Sequence, residues 1–168
     1  MRRSRPGGRA ISGQASEARH EQPVWRDRSD FIIAADLSGS TTVADHEQLW
    51  ARQLGDNRFE LCCIPFFAYD LALGDIVETA PAAGRTYVVN RVVAPSGRFV
   101  FRVWFGETAH PRDEVAAQLD RLGALLEWSS LNLLAVDARD QHHAQEIAAY
   151  LATAEADGKL MFETGRSA

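Results

Sequence analysis

Asp70, Asp75 and Glu78 lie within nine positions of one another, and Arg91 follows thirteen residues after Glu78. Two carboxyl groups can divide the work of hydrolysis, one donating a proton and the other activating water, while an arginine holds an anionic substrate. Whether such a pair works depends on the distance between the carboxyls, which is set by how the loop between them folds. The same stretch carries Phe66, Phe67 and Tyr69, with Trp50 and Trp104 outside it. Most of these rings belong to a core, and Phe66 and Tyr69 are the first candidates to line a pocket or partner surface. The candidate surface is therefore Phe66, Tyr69, Asp70, Asp75, Glu78 and Arg91.

Other chemistries find less support. Gly74-Asp75-Ile76-Val77 is similar to a step in β-rich self-cleaving repressors and signal peptidases, which use a serine activated by a desolvated lysine. The sole lysine is Lys159, and no serine lies between Ser40 and Ser96, so that mechanism is excluded. Gly74 and Asp75 read instead as turn residues, with the Asp75 carboxylate accepting backbone N–H groups. A Cys–His pair would need Cys62 or Cys63 beside His110, His142 or His143. Cys63 shares the apolar face of Phe59 and Leu61, and Cys62, on the wetter face, is the better reactive candidate. His142 and Glu146 are one helical turn apart, but no second short motif completes a metal site, and both neighbouring histidines read as a solvated helix face. His46 and His110 read as isolated loop residues. There is no glycine-rich phosphate loop and no dinucleotide fingerprint. No catalytic residue, metal site or cofactor is assigned.

Composition sets the outer limits. A chain of 168 residues, 46% hydrophobic, suffices for one core. The net charge of -5 divides into a basic start and an acidic body, which argues against a broad nucleic-acid surface. Residues 1–28 mix Arg, Gly, Ser, Glu and Pro without periodicity, the composition of a disordered tail in which Trp25 is the only large anchor. Nucleic-acid contact is expected only through that tail. Adjacent Cys62 and Cys63 form no disulfide framework, which fits a reducing cytoplasm, and neither a signal peptide nor a membrane span is expected.

The elements that must position these residues follow from periodicity. Phe31–Ala35 reads as a strand, then Glu47–Leu54 and Arg58–Ile64 as a hairpin turning at Gly55-Asp56-Asn57. Pro65 ends that ladder. Ile76–Thr79 is a further strand, and Arg85–Val93 with Arg98–Phe105 reads as a second hairpin. Pro111 opens a helix whose stripe is Val115, Leu119, Leu122 and Leu126. Leu131–Val136 is a buried strand, Asp140 caps a helix with the stripe Ile147, Leu151 and Ala154, and Leu160–Phe162 closes the chain. The expected class is α+β: a small antiparallel N-terminal sheet or partial barrel over 29–97, then a ferredoxin-like strand-helix-strand-helix-strand half over 98–166, with one strand missing or supplied by the first half.

Leu49-Trp50-Ala51, Leu54-Gly55-Asp56, Ile64-Pro65-Phe66-Phe67-Ala68-Tyr69 and Leu73-Gly74-Asp75-Ile76-Val77-Glu78 together resemble the family catalogued as domain of unknown function 4265. The likeness covers about residues 28–165, extending through Arg91-Val92-Val93 and Ser96-Gly97. The chain departs from the pattern at Asp70, where the family would place Gly, and at Cys62-Cys63, where a polar residue would be usual. The Asp70 change argues against a tight left-handed turn there. The resemblance implies no activity. The functional expectation is a non-catalytic binding or accessory module for a protein or small ligand, with a small hydrolase-like enzyme using Asp70, Asp75, Glu78 and Arg91 as the alternative.

Overall fold

The computed structural model describes residues 16–42, 44–107 and 111–166. In chain order the elements are β1 (Glu17–Ala18), a 3-10 turn (Arg26–Arg28), β2 (Phe31–Asp36), β3 (His46–Gly55), β4 (Arg58–Leu61), β5 (Ile76–Ala82), β6 (Arg85–Ala94), β7 (Phe99–Trp104), α1 (Arg112–Arg121), β8 (Leu125–Trp128), β9 (Leu133–Ala138), α2 (Gln141–Ala156) and β10 (Met161–Thr164). None of the described helices is long and apolar enough to cross a membrane.

Strands β3-β2-β6-β5-β4 close on themselves through β3–β4 pairing, giving a five-stranded barrel, and β1 lies outside against β3. The long strand β3 makes closure possible: its first part pairs with β2, and from Ala51 onward it pairs with β4. Inward positions alternate along the strands, so Leu49, Ala51, Phe59, Leu61 and Val77 fill the interior with Ile33 and Ala35. β6 runs parallel to β2 and antiparallel to β5. The turn between β5 and β6 takes Ala83 and Gly84 through positive φ, at 49° and 75°, as a tight hairpin requires.

The second sheet, in the order β10-β7-β9-β8, is antiparallel throughout and connected β–α–β–β–α–β. Phe101 and Val103 on one face of β7, with Phe105 just past its end, meet Val115 and Leu119 of α1 and Ile147 and Leu151 of α2. Asp140 caps α2 by accepting the His143 N–H at 2.8 Å.

Four expectations are corrected. First, residues 16–28 are ordered: β1 pairs with β3, His20 is buried and Trp25 N–H donates to Cys62 O. The remainder of the expected tail, 1–15, lies outside the described residues. Second, Arg85–Val93 and Phe99–Trp104 are not a hairpin; β6 belongs to the barrel and β7 to the second sheet, and Pro95-Ser96-Gly97 carries the chain between them. Third, α1 stops at Arg121, because Gly123 turns left-handed at φ 85°, and Leu126 enters β8, which pairs with β9. Fourth, His46 lies in β3 and His143 is buried in α2 with its ring on Leu122 O and Arg139 N–H, whereas His142 alone of the helix pair is solvated; His110 is outside the described residues.

The barrel and the second sheet meet across the connection that begins at Cys62. Ile64, Phe66, Ala72 and Leu73 are buried against Val100 and Ala135, on the sheet face opposite the helices. Trp25 packs into the same layer, its ring flanked by the guanidinium groups of Arg28 at 4.2 Å and Arg98 at 5.5 Å. Arg98 forks onto Asp137 of β9, its Nε at 2.9 Å. Gly74 has φ 78°, and a Cβ there would meet the Trp25 ring at 3.2 Å and Ser96 Cβ at 3.3 Å. Gly74→Ala is therefore expected to destabilise by about 1–3 kcal/mol through backbone strain alone, measured as a lowered urea midpoint with unchanged slope.

Candidate functional site

The most polar part of the seam is buried and comes from three separate elements. His20 stands between two carboxylates, its Nε2 2.9 Å from Glu47 of β3 and its Nδ1 2.6 Å from Glu127 of β8. Its ring stacks on Phe66 with centroids 3.9 Å apart. Glu47 also accepts the N–H groups of Phe66, Phe67 and Ala68, and Glu127 accepts those of Val24 and Ile64. Burial opposes a charge on His20, but its hydrogen bonds to Glu127 and Glu47 outweigh that and raise its pKa well above 6.5. Burial would likewise lift the Glu47 carboxyl, yet His20 and the Phe66 and Phe67 amides hold it below its ordinary value. The cluster is closed to solvent and its oxygens are occupied, so it fixes the connection instead of meeting a substrate.

His20 was not singled out among the chemistry-bearing residues. It sits in a polar segment without periodicity, and only the apolar Val24-Trp25 nearby hints that this segment docks. Both cysteines are buried free thiols, Cys62 included, contrary to its expected wetter face. Burial pushes Cys62 up to about 11 and raises Cys63 as well, the reverse of what a reactive thiolate needs.

Past Phe66 the connection rises to the surface as the ridge Phe67–Asp70. Tyr69 is half exposed; its hydroxyl donates to Glu163 at 2.7 Å and its ring lies over the Arg102 guanidinium at 4.3 Å. Glu163 raises the Tyr69 pKa as acceptor of that bond. Asp70 is left-handed at φ 60° while its N–H donates to Gly165 O at 2.8 Å. The tight turn doubted on the strength of the missing glycine is therefore present; aspartate is among the side chains that tolerate this region.

Two clefts flank Asp70. The larger, about 450 Å³, lies between the loop after β2, the ridge and β6, with Leu37, Leu71 and Val92 beneath and Asp36, Tyr69, Asp70, Asn90 and Arg91 around it. The Ser38 N–H donating to Asp36 holds that carboxyl below its usual value. The smaller, about 220 Å³, lies over Asp75, Pro95 and Phe99.

The six expected residues separate on this map. Tyr69, Asp70 and Arg91 share the larger cleft. Phe66 is core. Asp75 is buried and accepts Ala72 N–H at 2.9 Å and Ser96 N–H at 2.7 Å, the turn role expected of it. Glu78 pairs with Arg91 across β5 and β6 at 3.1 Å, and neither cleft takes all four of Asp70, Asp75, Glu78 and Arg91. Arg102, which the expected second hairpin would set on the strand beside that of Arg91, lies instead in the second sheet. Among the described residues no group of His, Cys, Asp and Glu has the geometry of a metal site.

A family model described as a domain of unknown function (DUF4265) matches residues 47–162. The crystal structure of a hypothetical protein from Neisseria gonorrhoeae superposes with a TM-score of 0.67 at 19% identity, covering 80% of this chain and 93% of that one. That likeness is one of fold. No curated protein matches.

Proposed function

The chain belongs to the domain of unknown function 4265 family, and from that premise we propose that it is a non-catalytic binding module. Its working surface is the larger cleft, where a partner protein's side chain or a small ligand of mixed polarity is held. The observation that carries the reading is the meeting of Tyr69, Asp70, Asn90 and Arg91 around an apolar floor in one open cleft of about 450 Å³. Such a combination, apolar walls with a few convergent polar groups, is what ligand sites are built from. The hydrolase alternative draws no support from Asp75, whose oxygens are engaged by backbone amides, or from Glu78, which is paired with Arg91. The β–α–β–β–α–β connectivity and the order β10-β7-β9-β8 favour a ferredoxin-like reading of the second sheet.

A fragment library screened by amide chemical-shift mapping tests the cleft. Binders are expected to move the signals of Ser40, Tyr69, Asn90 and Arg91 together, and Asn90→Trp, at an exposed rim position, is expected to abolish those shifts while leaving the fold intact. Hits that scatter over the surface, or that survive Asn90→Trp unchanged, would remove the cleft from consideration. Tail-mediated nucleic-acid contact is tested by a deletion ending no later than residue 15, since removing residues 1–23 also removes His20.

A further inference from the structure

On the far side of the Tyr69 ridge lies a second surface that the proposed cleft does not use. Along the sheet face opposite the helices, the cross-strand pairs Arg102–Glu163 and Trp104–Met161 stand side by side on β7 and β10. Leu133 of β9 lies across from Trp104. The connection covers this face as far as Arg102 and ends there, leaving a groove of about 340 Å³ walled by Phe67, Trp104, Leu133 and Met161, with Arg102 and Glu163 at its polar end. Trp104 and Met161 are 42% and 54% exposed, unusual for large apolar side chains set together on one sheet face.

Arg102 is 5% exposed, and among the described residues its Nε and Nη1 have no hydrogen-bond acceptor. Nη2 donates to Ala68 O at 2.7 Å, and Glu163 stands 3.5 Å from Nη1, an ion contact beyond good hydrogen-bond length. A buried guanidinium with donors unmet is a costly arrangement, and an incoming anionic oxygen relieves it. Glu163 is half exposed and tethered by the Tyr69 hydroxyl, so it can swing from Nη1 while keeping or exchanging that bond.

We propose that this groove binds a small amphipathic carboxylic acid, its apolar body along Trp104, Met161 and Leu133 and its carboxylate on the Arg102 guanidinium in place of Glu163. A single cation at the end of an apolar trough suits one carboxylate better than a polyanion, whose further charges would face apolar walls and Glu163. Glu163 is then the resident competitor, occupying the charge position with poor geometry until a ligand carboxylate supplies better.

Titration with octanoate, with 1-octanol as the uncharged control of equal length, tests this by following the Trp104 indole N–H and the Met161 methyl signals. Octanoate is expected to shift both, with 1-octanol at least about tenfold weaker, because a charge-assisted hydrogen bond is the difference. Glu163→Gln keeps an acceptor for Tyr69 but removes the repelling charge, and is expected to tighten octanoate about fivefold while leaving 1-octanol unchanged. Arg102→Gln is expected to bind acid and alcohol alike; should it not fold, Glu163→Gln decides alone. Arg91→Ala is expected to leave the octanoate titration unchanged, which separates this groove from the cleft. Equal binding of acid and alcohol, no gain in Glu163→Gln, or shifts that avoid Trp104 and Met161 would each overturn the proposal.

Discussion

His20→Ala is expected to lower the unfolding free energy by about 3–5 kcal/mol, because removing one member of a buried charged set strands the others in the interior. The ring is fully enclosed, and both its nitrogens are engaged by carboxylates from different halves of the fold. Loss of packing against Phe66 contributes, and His20→Phe separates the two causes: it keeps a flat ring on Phe66 but supplies no charge. It should be nearly as damaging as alanine in urea titration. A His20→Phe protein as stable as the parent would show that the ring, not its protons, matters.

The same residue gives stability a pH dependence. Its pKa is raised well above the 6.5 of the free side chain, so its contribution is complete below pH 6.5 and drains away as pH rises from there toward the folded-state value. Between pH 7 and 8.5 the folded protein holds one proton that the unfolded chain has released. Stability should fall there by about 1.4 kcal/mol per pH unit, and that slope should vanish in His20→Ala. A flat profile for the parent protein would mean that His20 is neutral in the fold.

Glu47→Ala should do comparable or greater harm by another route. Its carboxylate is the acceptor for three successive amides, those of Phe66, Phe67 and Ala68, as well as for His20. Each buried N–H left without an acceptor costs about 1–3 kcal/mol, and domains of this size are stable by only about 5–15 kcal/mol in total. The expected outcome is loss of a cooperative urea transition, with the amide signals of residues 66–68 exchanging fast. Glu47→Gln retains one carbonyl oxygen and should fall between the two. A Glu47→Ala protein that unfolds near the parent midpoint would show that other groups satisfy these amides.

How much of this was legible can be read from individual elements. The β3–β4 hairpin, the Gly74-Asp75 turn and the cap at Asp140 rest on local pattern, and they form as expected. The false hairpin between Arg85–Val93 and Arg98–Phe105 came from a Pro-Ser-Gly segment that serves as well to leave a barrel as to reverse a strand. Leu126 was taken into the α1 stripe because its spacing from Leu122 suits a helix; Gly123 marked the break, but an interior glycine alone does not end a helix. Tyr69, Asp70 and Arg91, expected on one surface, line one cleft in the fold, Tyr69 and Asp70 from the connection and Arg91 from β6. The sequence could not show that Glu78 is taken up by Arg91, or that two of the Arg102 guanidinium nitrogens go without an acceptor among the described residues, since both depend on which strands pair. His20 was least accessible of all, with partners 27 and 107 residues away.

That spacing bears on how the protein comes apart. The barrel supplies Glu47, the second sheet Glu127, and the segment before both supplies His20. Any partly opened form that parts one of them leaves an unpaired charge where water has not yet entered, so such forms are depopulated relative to both the native and the fully unfolded chain. The barrel and the second sheet, each with its own apolar core, are thereby coupled into one transition, and neither half should be recoverable as a stable fragment. The histidine acts less as a bond than as a rule that the two halves unfold together.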